Sequence, residues 1–366
     1  MKICIYARSL SVPSGGVKQY IQSMIESLID QIRDTDELTI IHNTGKKMFI
    51  LPYNCQEILF DTKNRLFADY IIAPWIINKL NPDITWFPGS AIPFFIKSKT
   101  IITLHDLGYY IKELNAYKYL DTLYWKIMMR SSCKRATKII AISENTKKAI
   151  QEILGIPEEK IAVIYEAVDT NRFRKIPKAT LENIATKYSL PRSFFLFTGG
   201  LSPRKNLTRL FRAIELLDEE NVNLVVTGDT FASWSNDQEC KLIEESDKIK
   251  HLGYVNEDEL VALYNLADAY IFPSLYEGFG LPILEAQACG CPVISSSSSS
   301  LPEVGGNSVL YFNPHDEMEI VRAIKTLVNN PKKKDNLVEK GYENIKRFSW
   351  GLAARQLLNI FDNIAK

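Results

Sequence analysis

The sequence predicts an α/β protein with two doubly wound domains, each built on a parallel sheet. Short apolar, β-prone runs alternate with amphipathic helical stretches, which is typical of buried parallel strands joined by helices. A strand at residues 3–6, a turn with Gly15 and Gly16, and a helix at residues 17–30 open the chain. The same order of elements starts again near Phe194, which indicates a second domain of the same kind.

Length and composition favour a large soluble protein. The chain has 366 residues, of which 46% are hydrophobic, so it can form more than one core. Its net charge of +1 does not indicate a nucleic-acid partner. The six cysteines lack metal-ligand spacing and fit a reducing compartment. The N-terminal apolar run is too short for a signal peptide, and no run approaches the roughly 20 residues of a membrane span. A cytoplasmic protein is therefore expected.

Apolar runs and breaks define the expected elements. First-domain strands are expected at residues 3–6, 38–41, 84–87, 100–104, 138–142 and 161–164. Second-domain strands are expected at 194–198, 224–227, 249–252, 270–272 and 293–294. A polar, Pro-containing linker at 175–178 separates the two series, and Ser349 is a good N-cap for a last helix. We expect domains at 1–172 and 173–348, followed by a C-terminal helix at 349–366.

The clearest chemical pattern is EGFGLPILE at residues 277–285, directly after an apolar strand. Its glycines predict an open loop, and Pro282 suits the first turn of a helix. A helix N-terminus presents unpaired N–H groups and partial positive charge, which suit a phosphate. Glu277, in the loop, and Glu285, expected in the first helical turn, can accept hydrogen bonds from sugar hydroxyls. The pattern indicates a nucleotide-sugar site, and the alternative is a pair of solvated charges.

This E-x-F-G-x-x-x-x-E pattern, followed by ACGCPVI at residues 288–294, resembles the signature of retaining glycosyltransferases of the GT-B fold, family 4. The resemblance covers nearly the whole chain and is tightest from residue 272 to 304, where SSLPEV closes a run of six serines. It implies two Rossmann-like domains facing a central cleft. The first would serve the acceptor and the second the nucleotide sugar, with the last helix packing back on the first domain.

Further residues take their expected roles from this resemblance. Gly15 and Gly16 match paired glycines in a loop that closes over the donor phosphates. His105, at a strand end, matches a histidine that contacts the donor sugar, although it could be an ordinary loop histidine. Arg204 and Lys205 match cations that face the diphosphate, although they could be solvated.

One departure lies after the strand at 194–198. Many family members have Gly-Arg where this chain has Gly199 and Gly200, which leaves Arg204 as the candidate to replace the missing arginine. Tyr254 and Val255 are expected by resemblance to border the nucleotide base, although a simple turn would give the same pattern.

The resemblance implies a retaining hexosyltransferase for polysaccharide or cell-surface glycan synthesis. GDP-mannose is the preferred donor and UDP-sugars are next, with a glycan or lipid-linked acceptor. No cofactor or metal ion is expected, because helix N-termini and side-chain cations would hold the diphosphate. The expected catalytic residues are His105, Glu277, Arg204 and Lys205. The expected donor-binding residues are Gly15, Gly16, Gly199, Gly200, Arg204, Lys205, Tyr254, Val255, Glu277, Gly278, Phe279, Gly280, Leu281 and Glu285.

Several alternatives remain open. A nucleotide-sugar 2-epimerase shares the architecture, and a sugar-binding protein without catalysis has paired α/β lobes.

The D-x-D at residues 34–36 resembles the metal site of another glycosyltransferase fold, but it precedes a strand and is rejected as a metal site. Residues 118–148 mix basic and apolar side chains. They form either a solvated basic face or a reversible contact with an anionic membrane.

Overall fold

A computed structural model describes residues 1–11, 15–62, 64–89, 91–114, 116–217, 222–228 and 237–366. Over these residues the chain forms two compact units. Unit 1 comprises Met1–Tyr110, Tyr117–Glu166 and Ser349–Lys366, and unit 2 comprises Ile111–Ala116 and Ala167–Phe348. The change between units after Glu166 precedes the position expected from the sequence, which was residue 172.

Unit 1 contains a parallel sheet of seven strands within the described residues, in the order β3-β2-β1-β4-β5-β6-β7. Its strands are β1 Lys2–Tyr6, β2 Glu37–His42, β3 Cys55–Leu59, β4 Ile84–Phe87, β5 Lys99–Leu104, β6 Lys138–Ala141 and β7 Ile161–Val163. Its first helices are α1 Gly16–Ile29, α2 Arg65–Phe67, α3 Ala73–Leu80, α4 Tyr119–Arg135 and α5 Glu144–Leu154. A π-helical turn at Ala68–Ile72 joins α2 to α3.

Unit 2 contains a second parallel sheet, with six strands in the described part of the chain and the order β10-β9-β8-β11-β12-β13. Its strands are β8 Phe195–Thr198, β9 Leu224–Thr227, β10 Ile249–His251, β11 Ala269–Phe272, β12 Val293–Ser296 and β13 Val309–Phe312. Its helices are α6 Lys178–Lys187, α7 Leu207–Glu215, α8 Asp237–Glu245, α9 Glu257–Leu266, α10 Leu281–Ala288, α11 Leu301–Gly305, α12 Glu317–Val328 and α13 Pro331–Ile345. The expected α/β class with two parallel sheets is confirmed.

The last helix, α14 Trp350–Ala365, belongs to unit 1. The expected cap at its start is confirmed, because the Ser349 side chain accepts a hydrogen bond from the Leu352 N–H. The helix packs against α1, where the Tyr20 and Trp350 rings meet edge to face at 5.8 Å. One apolar face of α14 is thereby buried in unit 1.

The strand order locates the edge of each sheet where a ligand would bind. In unit 1 the order reverses between β1 and β4, and in unit 2 it reverses between β8 and β11. Open α/β sheets bind ligands outside the carboxyl ends of their strands at such a point. The loops that follow these four strands are therefore the first places to look for functional side chains.

Candidate functional site

Glu277 follows β11 in unit 2 and is held between two cations. Its Oε2 accepts a hydrogen bond from Arg204 Nη1 at 2.7 Å, and its Oε1 accepts one from Lys205 Nζ at 2.8 Å. The Glu277 and Lys205 side chains are each only 11% exposed. Burial would raise the pKa of this carboxyl, but the charges of Arg204 and Lys205 outweigh it and lower the pKa to about 2. Glu277 is therefore an anion near neutral pH.

The two cations are positioned by the short turn between β8 and α7. Asn206 ends this turn with a left-handed backbone, and its Nδ2 donates to the carbonyl oxygens of Pro273 and Pro314 at 3.1 and 2.8 Å. The Arg204 carbonyl accepts a hydrogen bond from the Leu275 N–H at 2.8 Å. Residues 204–207, the RKNL segment, and the loop after β11 are thus bound to each other, which brings residues far apart in sequence into one site.

The run of six serines holds the Glu277 loop in place. Ser295 and Ser296 belong to β12, so this strand is longer than expected from the sequence. Ser299 Oγ accepts a hydrogen bond from the Glu277 N–H at 2.9 Å. Ser300 Oγ lies 3.0 and 2.6 Å from the carbonyl oxygens of Glu277 and Phe279, to which it can donate. The serine run is therefore part of the site's framework.

The expectation that Glu285 lies in the first turn of α10 is wrong. The helix begins at Leu281, which places Glu285 in the second turn with its side chain buried. Its Oε2 accepts a hydrogen bond from the Tyr264 hydroxyl at 3.1 Å. Burial, together with the charge of Glu285, raises the pKa of Tyr264 and Tyr270 well above the usual value. Both phenols therefore stay protonated near neutral pH and can act as donors.

The loop between Glu277 and α10 needs a glycine at its last position. Gly280 caps α10 with φ +129°, and a Cβ there would lie 2.9 Å from Leu301 Cδ2. Phe279 and Leu281 are buried, and the Phe279 ring packs edge to face against Phe348 at 5.6 Å. Gly278 lies between the anchored Glu277 and this buried ring. The helix N-terminus therefore stands in a fixed position beside Glu277.

Glycines that follow β8, β9 and β10 join the ends of these neighbouring strands. The Gly199 N–H donates to the Thr227 carbonyl at 3.1 Å, and the Gly228 N–H donates to the Gly253 carbonyl at 2.8 Å. A Cβ on Gly228 would lie 2.3 Å from the Gly199 oxygen, so this close approach requires glycine. Three more of the expected donor-binding residues follow these strands. They are Gly200, the exposed Tyr254 and the buried Val255.

Unit 1 has a cavity of about 490 Å³ that includes the remaining expected residues, Gly15, Gly16 and His105. Gly15 caps α1 with φ +128°, and a Cβ on either glycine would meet no atom within 4 Å. Stacked aromatic rings form one wall, where the centroid of Tyr109 lies 4.0 Å from that of Tyr117. The start of α1 thus opens onto a space large enough for a ligand.

His105 is buried just after β5, and each of its two ring nitrogens faces an oxygen atom. Its Nε2 lies 2.8 Å from the Pro88 carbonyl, which can only accept, so Nε2 carries the proton. The other ring nitrogen, Nδ1, lies 3.6 Å from Glu166 Oε1. Burial raises the pKa of the Glu166 carboxyl, and the contact with His105 opposes that rise. Glu166 was not expected from the sequence, although an acid just beyond the end of β7 is a signal that could have been used.

The rejected D-x-D at residues 34–36 contributes to stability. Asp36 is buried and accepts from the N-terminal ammonium at 2.9 Å and from Arg33 Nε at 2.6 Å. Across the residues that the structure describes, no three His, Cys, Asp or Glu side chains are grouped to hold a metal ion. None of the described helices is both long and apolar enough to span a bilayer.

Two family models match the chain. Glycosyltransferase Family 4 matches residues 14–172, and Glycosyl transferases group 1 matches residues 183–344. The chain is 27% identical to O-antigen chain mannosyltransferase B of Escherichia coli over 99% of each chain. It is 31% identical to O-antigen chain mannosyltransferase RfbU of Salmonella typhimurium, over 72% of this chain and 71% of the relative.

Solved structures show the same fold. Anabaena HepE in complex with UDP-glucose superposes with a TM-score of 0.76 at 18% identity, over 99% of this chain and 100% of that chain. Both domains of the chain therefore match glycosyltransferases in sequence and in architecture. The protein belongs to the group 1, family 4 glycosyltransferases of the GT-B fold.

Proposed function

We propose that the protein transfers a hexose from a nucleotide diphosphate sugar with retention of configuration. GDP-mannose is the first candidate donor and UDP-sugars are the second. The acceptor would be a glycan or a lipid-linked glycan at the cytoplasmic face of a membrane. The observation that carries the proposal is the Glu277 carboxylate held between Arg204 and Lys205 beside the N-terminus of α10. The likeness to two O-antigen chain mannosyltransferases favours mannose and polysaccharide synthesis.

The unit 2 geometry suits a nucleotide diphosphate sugar. The diphosphate would lie at the α10 N-terminus, near the positive charges of Arg204 and Lys205. These charges are fixed before the ligand arrives, so they can stabilise a leaving diphosphate with little reorganisation. Glu277 would accept hydrogen bonds from hydroxyls of the hexose, and Glu285 would accept one from the ribose. No metal ion is required in this scheme, because the site supplies the positive charge.

The proposed reaction exchanges one bond for another at the anomeric carbon. The acceptor hydroxyl attacks from the face of the leaving group as the bond from carbon to phosphate oxygen breaks. The new glycosidic bond forms on that same face, and the β-phosphate oxygen takes the acceptor's proton. His105, held by Pro88 and Glu166, would contact the donor sugar.

A panel of nucleotide sugars tests this proposal. Thermal unfolding should be measured with GDP-mannose, UDP-glucose, GDP and UDP, since a ligand at 100 times its Kd adds about 2.7 kcal/mol of stability. We expect the largest shift with GDP-mannose. Proton NMR of the product should then show an anomeric configuration equal to that of the donor. A panel without any shift, or an inverted product, would contradict the proposal. Release of an epimerised free sugar would identify a 2-epimerase instead.

A further inference from the structure

A stripe of exposed apolar side chains runs along the helical segment at residues 65–80 of unit 1. Phe67, Ile71 and Trp75 are 50%, 57% and 65% exposed. They are spaced four residues apart, so they lie on one side of the segment. The next position in the series is Lys79, which is also exposed. The stripe therefore passes from apolar to basic along one helical face.

A second stripe runs along α4. Leu120, Leu123 and Ile127 are 76%, 46% and 58% exposed, and their spacing of three and four residues places them on one face. Arg130 and Lys134 continue this face and are exposed. The second stripe has the same order as the first, with apolar side chains followed by basic ones.

The two segments that carry the stripes are neighbours. The Tyr70 hydroxyl lies 3.0 Å from the Tyr124 hydroxyl and donates to Met128 Sδ at 3.2 Å. The Arg65 guanidinium lies over the Trp125 ring, 4.4 Å from its centroid. Side chains of the first segment thus pack directly on α4. We call Phe67, Ile71, Trp75, Leu120, Leu123 and Ile127 together the apolar surface.

A nearby loop adds another exposed aromatic residue. Phe95 is 85% exposed and has φ +64°, a conformation that is unfavourable for a bulky residue. Asn78 of α3 holds this loop, since its Nδ2 donates to the Phe95 carbonyl at 2.8 Å and its Oδ1 accepts from the Lys97 N–H at 3.1 Å. The Phe94 ring stacks on Tyr70 at 5.9 Å. The fold therefore fixes an exposed phenylalanine beside the two stripes.

We propose that the apolar surface docks reversibly on a bilayer containing anionic lipid. The two segments, residues 65–80 and 118–135, carry seven Lys or Arg residues against two Asp residues. Positive charge near an anionic bilayer contributes on the order of 1 kcal/mol per residue, and interfacial aromatic and aliphatic side chains add apolar burial. A second copy of the chain is a poorer occupant, because the basic residues that accompany the apolar surface would repel those of the other copy.

This inference deepens the proposed function, because a membrane-bound enzyme would meet a lipid-linked acceptor where that acceptor resides. Vesicle binding can be measured without donor or acceptor. A failure of docking and a failure of the proposed chemistry are therefore distinguishable.

Co-sedimentation with vesicles tests the proposal. Vesicles of phosphatidylcholine alone should be compared with vesicles that also contain phosphatidylglycerol, at low and high salt. We expect binding to the anionic vesicles at low salt, at least tenfold weaker binding to the neutral ones, and loss of binding as salt rises. Lys79→Gln with Arg130→Gln should lower the affinity at least tenfold. Ile71→Ser with Leu123→Ser should do the same.

Leu216→Ser is the matched control, since Leu216 is 50% exposed in unit 2, and it should bind vesicles like the wild type. The surface variants should keep wild-type turnover of a water-soluble acceptor. Equal, negligible binding of the wild type to both vesicles at low salt would overturn the proposal. So would concentration-dependent dimerisation that the serine variants abolish, since the surface would then be an interface between copies.

Discussion

Replacing Lys205 with methionine tests whether Glu277 depends on its flanking charges. Methionine preserves most of the side chain's apolar length and removes the ammonium group. The fall in the Glu277 pKa from an ordinary 4.5 to about 2 corresponds to about 3 kcal/mol in favour of the carboxylate. Because Arg204 remains, Lys205→Met should remove only part of this, roughly 1–2 kcal/mol. For a unit of this size, the Tm should fall by roughly 2–8 °C.

The pH dependence of the Tm tests the same pairing of Glu277 with Lys205 in a second way. Because the folded-state pKa of Glu277 lies below its unfolded value, its contribution to stability is present above pH 4.5 and is lost as the pH falls through about 2. Without Lys205 the folded-state pKa rises toward the ordinary value. The Tm difference between Lys205→Met and the wild type should therefore be largest near pH 7 and should shrink in acid.

Lys187→Met is the matched control. Lys187 pairs with Glu259, but its side chain is 56% exposed, so solvent screens the pair and its loss should cost little stability. Thermal unfolding of both variants by circular dichroism, at pH 7 and in acid, measures how far each Tm falls below that of the wild type. Lys205→Met should also turn over donor about tenfold more slowly. The reasoning would be refuted if Lys205→Met melted no lower than Lys187→Met at pH 7 and turned over donor normally.

Three further predictions concern other parts of the protein. Glu166→Gln should lower kcat about tenfold through loss of His105 orientation. Its Tm at pH 7 should not fall, because the raised pKa of Glu166 means that its ionised form opposes folding above pH 4.5; a lower Tm with unchanged kcat would indicate a purely structural role. Gly228→Ala should lower the Tm far more than Gly155→Ala, since a Cβ at 228 would meet the Gly199 backbone whereas one at 155 meets no atom within 4 Å. Equal melting of these two alanine variants would show that the turn can adjust. Activity should survive EDTA, and complete loss restored by magnesium or manganese would show that the diphosphate needs a metal ion.

Strands that are buried on both faces could be predicted from the sequence. β4 was expected with its observed bounds, because all four of its residues are apolar or β-prone and all are buried. β3 at Cys55–Leu59 was missed, because an edge strand is only half buried and its CQEIL sequence has no continuous apolar run. β13 at Val309–Phe312 was also missed, although its VLYF sequence is a continuous apolar run of the kind that predicted other strands. An edge position alone does not hide a strand, because the edge strands β7 and β10 were expected from their apolar runs.

Short segments with a known pattern could be assigned roles, but contacts between distant segments could not. The RKNL and EGFG segments were each expected near the diphosphate, yet no pattern showed that Arg204 and Lys205 bond directly to Glu277. The pairing of His105 with Glu166 joins the ends of two different strands. Such pairings depend on the order of strands in the sheet, which local periodicity does not determine.

The six consecutive serines have the same side chain, but Ser296, Ser299 and Ser300 each make different hydrogen bonds. Ser296 Oγ donates to the Ser274 carbonyl, Ser299 receives the Glu277 N–H with its backbone at φ +51°, and Ser300 reaches two carbonyl oxygens. Losing one serine would leave the run looking almost unchanged when aligned. It would nevertheless shift the downstream hydroxyls by about 3.3 Å along the chain and detach the Glu277 loop. During evolution this run should therefore tolerate point changes at its exposed member, Ser297, more readily than any change in length.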